Sequence, residues 1–275
     1  MPVNSEFFRI YRHLFYGSPL KMLRIYMLQI SYNMTPGESA ILQFHHLLEE
    51  HNLIKQVLVL VNDGIIAVGL VFFKRHIVDA SFIEAPSSTK NRDYKRDSEM
   101  SSGKKRNTWH FGMKMHVATG DLIGIVTNVV YGPVNEHDGS RARELISSET
   151  EQVYGDAGYV GMETRQEFQT DKDAEKRKYR INLRLGVLKG CSAEDIVRQV
   201  EHLKSSVRSK VEHVFARVKL QMAYRKTWYR GIAKNARCIN TMLALCNLFT
   251  VDCSLRSNCA YIIGILTRNI ILRSS

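Results

Sequence analysis

The sequence predicts an α/β fold: a mixed sheet with flanking helices, preceded by a short helical N-terminal region. Three observations predict it. The apolar period changes from helical to alternating near residue 75. One strand and a hairpin of two strands are then followed by a helix and a fourth, buried strand. A long amphipathic helix comes after them. A chain of 275 residues has room for one to two such domains.

Residues 6–31 mix aromatics, Leu and Met with Arg and Lys at helical spacing, and "NMTPG" (33–37) breaks the pattern. A second helix is expected over 38–60, with Ser39 as N-cap and Asn62-Asp63-Gly64 as its terminating turn. "HIVDASFIEA" (76–85) is β-branched and aromatic with roughly alternating polarity, a strand signal. The polar run 85–107 reads as an exposed loop. "TWHFGMKMHVAT" (108–119), Gly120-Asp121 and "LIGIVTNVVYG" (122–132) form a hairpin. A helix follows over 136–147 and a buried strand over 152–156, whereas 162–185 is charged and ambiguous between the two. Residues 192–223 are helical, with Ser192 as N-cap, and 236–250 form a final apolar helix. Three antiparallel strands that continue into a parallel one through a helical crossover have the order of a ribonuclease-H-like domain. The expected division is 1–62 for the N-terminal region, 70–250 for the sheet domain and 251–275 for an atypical tail.

Charge narrows the partner. The net charge is +12, and residues 172–237 alone hold 18 Lys/Arg against 6 Asp/Glu, so the rest of the chain is neutral. Such a concentrated field attracts a polyanion, most simply nucleic acid, although a solvated basic face is the plain alternative. Five cysteines with no CxxC pair support neither a disulfide framework nor a zinc module, and imply a reducing, cytoplasmic setting. The N-terminus lacks a signal-peptide core, and neither 57–73 nor 260–272 has the roughly 20 clean apolar residues of a membrane span. No GxSxG, GxxxxGK[ST] or GxGxxG motif is present.

Candidate chemistry centres on "EQVYGDAGYVG" (151–161). Asp156 stands where a buried strand breaks into small residues, either as a turn former or as a metal ligand at the strand's end. Asp79 lies midway along the first strand, and a right-handed crossover can bring the two strands side by side. Two close carboxylates repel unless a cation lies between them, and oxygen ligands suit Mg²⁺ or Mn²⁺. In "SSVRSKVEHVFARVKLQM" (205–222), Arg208, Glu212 and Lys219 share one narrow stripe beside Val207, Val211, Val218 and Met222, which should face the sheet. Taken alone, Arg208 and Glu212 read first as an exposed i, i+4 ion pair rather than a site. Trp109 and Trp228 read as packing residues.

Together, "IVDASFIEAPSSTKNRD", "WHFGMKMHV", "YGDAGYVG", "RSKVEHVFARVK" and "YRKTWYRGIAKN" resemble, in order, the catalytic blocks of bacterial insertion-sequence transposases of the DDE type, in the IS-four/IS-five-like group. The resemblance runs over about residues 20–250. It implies a catalytic and metal-holding triad of Asp79, Asp156 and Glu212, two Mg²⁺ or Mn²⁺ ions, and phosphoryl transfer on double-stranded DNA, at the element ends and the target. It further implies DNA phosphate contacts from Arg208 and Lys219 and a homodimer on DNA, in the bacterial cytoplasm at the nucleoid with no membrane. Lys90, Lys104, Lys105 and Arg106 would be further phosphate contacts, or simply a solvated loop. Only "TPGES" separates two N-terminal blocks that relatives hold further apart, as an internal truncation would leave them, and Ser205 stands where related branches carry Tyr. A non-catalytic DNA-binding remnant and another ribonuclease-H-like nuclease remain alternatives at this point.

Overall fold

The β-branched and aromatic run Arg75–Glu84 forms the strand around which the sheet is ordered. The computed structural model describes residues 53–257, except 68, 70–73, 93, 106, 170–176, 189–191, 193 and 194. The helices expected over 6–31 and from 38 to 52, the tail beyond 257, and Arg106 lie outside the described residues. In chain order the strands are β1 (Arg75–Glu84), β2 (Ser101–Lys105), β3 (Thr108–Gly120), β4 (Val126–Pro133), β5 (Gln152–Gly155) and β6 (Lys178–Ile181). The principal helices are α1 (Leu53–Ala67), the short α2 (Ala142–Leu145), α3 (Ile196–Ala216) and α4 (Ile232–Ser257).

β1 runs antiparallel to β3, with Asp79 opposite Val117, and parallel to β5, with Ile77 opposite Tyr154. β2 and β4 share the outer side of β3, and β6 lies parallel to β5 at the far edge. This is the mixed α/β sheet with flanking helices expected of a ribonuclease-H-like domain.

Period-2 alternation gives the sheet two apolar faces. Ile77, Ile83, Met113, Met115 and Val117 meet Val211, Val214 and Val218 of the α3 segment and Ile239, Met242 and Leu243 of α4. On the other face Val78, Ala118 and Val153 pack with Leu145, Tyr159, Met162 and Phe168. Each fully buried apolar side chain removes surface worth about 1.5–3 kcal/mol. The valine stripe of α3 therefore faces the sheet, with Val207 partly buried beside it. No helix among the described residues is long and apolar enough to cross a membrane.

Four local expectations are corrected. α1 does not end at Asn62-Asp63-Gly64 but continues to Ala67. Asn62 donates to the Val126 carbonyl and accepts from Asn247, so a turn-forming residue serves as a packing contact. The polar stretch 85–107 contains β2, which extends β3 at its free edge. The helix expected over 136–147 is a 3₁₀ turn, Asp138–Arg141, followed by one turn of α2; the Nδ1 of His137 caps it by accepting from Gly139. α3 starts from Asp195 rather than Ser192, because the Asp195 carboxylate accepts the Val197 N–H at 2.9 Å. It ends in a π-helical turn, Arg217–Gln221.

Candidate active site

Asp79 projects from the centre of β1 towards α3. Its Oδ1 accepts from the Ala80 N–H at 2.7 Å, and its Oδ2 accepts from Arg208 Nη1 at 2.8 Å. Asp156 follows β5 directly and caps a 3₁₀ turn, Ala157–Tyr159, by accepting the Gly158 N–H at 2.9 Å. The turn and the carboxylate are thus one feature: capping fixes the direction in which the acid leaves the strand. Burial pushes the Asp79 carboxyl up to about 6, the negative charge of Asp156 pushes the same way, and Arg208 and the Ala80 N–H pull against both. Parallel pairing has therefore brought together two acids 77 residues apart in the chain.

Glu212 stands differently. Its side chain is 59% exposed, and its Oε1 lies 3.3 Å from Arg208 Nη2. Arg208 thus bridges Asp79 and Glu212, with its Nε buried and without a hydrogen-bond partner. Among the described residues no group of three His, Cys, Asp or Glu gathers as a metal cage. Of the three acids expected from sequence, Asp79 and Asp156 feel one another's charge, and Glu212 is linked to Asp79 through the Arg208 guanidinium. As a donor set the pair fits a hard divalent cation. Its atoms are carboxylate oxygens, and the repulsion that raises Asp79 is what a cation between the two acids relieves.

Lys219 lies on the π turn and opens on a cleft of about 530 Å³ lined also by Phe82, Lys105, His110, Phe215 and Arg225. Burial and the charges of Lys105 and Arg225 push the Lys219 ammonium down, with Glu84 pulling it up. Lys105 lies 5.3 Å over the Phe82 ring. Arg225 reaches this cleft because residues 225–227 run along the end of β1, with Glu84 N–H donating to the Arg225 carbonyl and Thr227 N–H to that of Glu84. Sequence reasoning missed Arg225; the "YRKTWYRG" block contains it, but only this backbone pairing shows which way it goes. Crowded cations facing one carboxylate attract phosphate.

The remaining expected contacts divide. Lys104 is exposed on β2, opposite Trp109, and Lys90 is exposed on the loop before it, whereas Arg106 lies outside the described residues. That loop is anchored, since Asp97 and Glu99 accept the N–H groups of Gly231 and Ile232 at the start of α4. Trp109 is 69% exposed and so is no core residue, whereas Trp228 packs on Tyr224 with ring centroids 4.8 Å apart.

No solved structure matches the chain. The family model of the transposase DDE domain matches residues 74–248, from the residue before β1 into α4. That match spans well over half of the chain and includes both strands that carry the paired acids, so the protein belongs to the transposase DDE domain family.

Proposed function

We propose that this transposase acts as an insertion-sequence enzyme of the IS-four/IS-five-like group, cleaving and joining DNA strands by metal-dependent phosphoryl transfer. The observation that supports this most directly is the coupling of the largely buried Asp79 to Asp156, on the strand whose Ser81 and Phe82 line a cationic cleft. Asp79 and Asp156, completed by Glu212, are the residues to hold Mg²⁺ or Mn²⁺, two ions in the reading favoured here. Bound cations supply activation of an attacking water or 3′-hydroxyl and neutralise the leaving oxygen of an in-line displacement.

The chain's own residues do the rest. Asp79, ion-paired to Arg208 at 2.8 Å, would be available as an oxygen ligand if that contact were given up to a cation. Arg208, once released, is free to pair with a DNA phosphate, and Glu212 turns inward from the exposed side of α3. Lys219, Lys105 and Arg225 hold the backbone of the same duplex along the cleft, with Lys90, Lys104 and Arg106 as outer contacts. Residues 1–62, shortened near "TPGES", would contribute recognition of the element ends, ahead of a catalytic region at 70–250 and an atypical tail at 251–275. A homodimer bridging two ends is the assembly this reading calls for.

The test is nicking of a DNA fragment that carries the gene's own flanks, in Mg²⁺ or Mn²⁺, by wild type and Asp156→Asn. Metal-dependent nicking at the ends, abolished by the substitution, is the expected result. Salt-sensitive binding without any nicking, unchanged in Asp156→Asn, would replace this reading with a non-catalytic DNA-binding protein. Cleavage confined to RNA–DNA hybrids, with no joining of a 3′-hydroxyl, would replace it with a nuclease.

A further inference from the structure

Beneath the carboxylate pair, on the sheet face opposite α3, lies a second charged cluster. Lys114 stands opposite Phe82 and Gly132, so its side chain leaves β3 on the face of Ala118 and not that of Val117. It is only 5% exposed. Its ammonium donates to the Glu136 carbonyl and to Oδ1 of Asp138 at 2.8 Å, and lies 5.1 Å from the Phe82 ring centroid. A buried ammonium is tolerated only where it is paired, so Lys114 and Asp138 fix one another.

Asp138 opens the turn Asp138–Arg141, which packs against the turn Ala157–Tyr159 that Asp156 caps. Gly158 stands where they meet. A Cβ there would lie 3.0 Å from Oδ1 of Asp156 and 3.3 Å from Oδ2 of Asp138. The next residue, Tyr159, is buried, and its hydroxyl has no hydrogen-bond partner. That phenol sits in the combined field of Asp138, Asp79 and Asp156, which adds to burial in raising its proton affinity. The Asp138 carboxylate therefore stands close to that of Asp156, on the far side of Gly158.

We propose that Lys114 and Asp138 are positioning residues for Asp156. Pinned by Lys114, the Asp138 carboxylate is a fixed negative backstop behind Gly158. It keeps the Asp156 carboxylate from swinging away from Asp79, and the missing side chain at Gly158 leaves room for both acids. Asp138 itself touches no cation and acts through Asp156. This rests on the reading that Asp79 and Asp156 hold the cation.

The experiment is a Mn²⁺ titration of the full chain followed by electron paramagnetic resonance, without DNA, for wild type, Asp156→Asn, Asp138→Asn and Gly158→Ala. Melting temperature and DNA affinity are measured alongside. Asp138→Asn and Gly158→Ala should each weaken Mn²⁺ binding about 10- to 100-fold, as loss of a ligand's supporting contact does, with DNA affinity unchanged. Nicking by Asp138→Asn should recover at saturating Mn²⁺, a response that a merely structural role would not produce. Gly158→Ala probes the same spacing with both charges intact, should Asp138→Asn fold poorly. Loss of Mn²⁺ binding in Asp156→Asn, with wild-type affinity in folded Asp138→Asn or Gly158→Ala, overturns the positioning role alone. A wild type that binds no Mn²⁺, or an Asp156→Asn that binds it normally, overturns the cation reading and this inference with it.

Discussion

At the scale of single residues, the site is governed by what burial does to charge. Asp79 would be an unremarkable acid on a surface strand. Beneath α3 desolvation and Asp156 push its carboxyl up to about 6, and Arg208 is the counter-charge that makes its ionised form tolerable. His116 is a second case. It is fully buried, neither ring nitrogen has a hydrogen-bond partner, and burial pushes its imidazole down to about 4, with Lys114 and Arg141 pushing the same way against Asp138 and Glu136. Because the folded value lies below the unfolded one of about 6.5, the fold keeps this histidine neutral. Its share of stability is complete above pH 6.5 and is lost as pH falls towards 4, by at most about 3 kcal/mol. His116→Leu should therefore raise the melting temperature at pH 7 and flatten the acid limb of stability, read by thermal unfolding at pH 7 and 4.5. The alternation of β3 made His116 legible as a strand residue, but its isolation follows from the neighbours that packing supplies.

At the scale of elements, what decided each outcome was the partner and not the propensity. The valine period of α3 was legible in sequence because a helix must bury one stripe, and the structure buries it. The end of α1 was not, because Asn62-Asp63-Gly64 carries turn chemistry that a tertiary contact overrides. Asn247 links three elements: it accepts the buried Val126 N–H of β4 and donates to Asn62 of α1 and to the Val126 carbonyl from its place in α4. Asn247→Leu leaves that N–H without its acceptor and should cost about 1–3 kcal/mol, measured by urea unfolding. Ile239→Ala in α4 should cost about 2–5 kcal/mol through the cavity it opens against the sheet. Both substitutions lie away from the carboxylates, so folded protein should keep its Mn²⁺ affinity.

At the scale of the molecule, the described part of the basic stretch 172–237 lies along β6, α3, the π turn and the approach to α4. Lys105 arrives from a different part of the chain and completes the cleft. DNA affinity should fall steeply with salt, and Lys105→Ala, Lys219→Ala and Arg225→Ala should each lower the slope of log K against log salt by about one, with little change in sequence preference. Fluorescence anisotropy across a salt series measures both. Period and composition alone determined the β1, β3, β4 and β5 order with the long helix after it, the sheet-facing stripe of α3 and the concentration of positive charge, because each is a local pattern along the chain, whereas the two aspartates were assigned to a site only by resemblance of whole sequence blocks. Tertiary structure decided that Asp79 and Asp156 share one electrostatic site, that Arg208 bridges Asp79 and Glu212, and that Lys114 and Asp138 stand behind Gly158. These depend on which residues parallel pairing and crossover turns bring within a few ångströms, and at that range desolvation and Coulomb energy depend on distances that residue spacing does not contain.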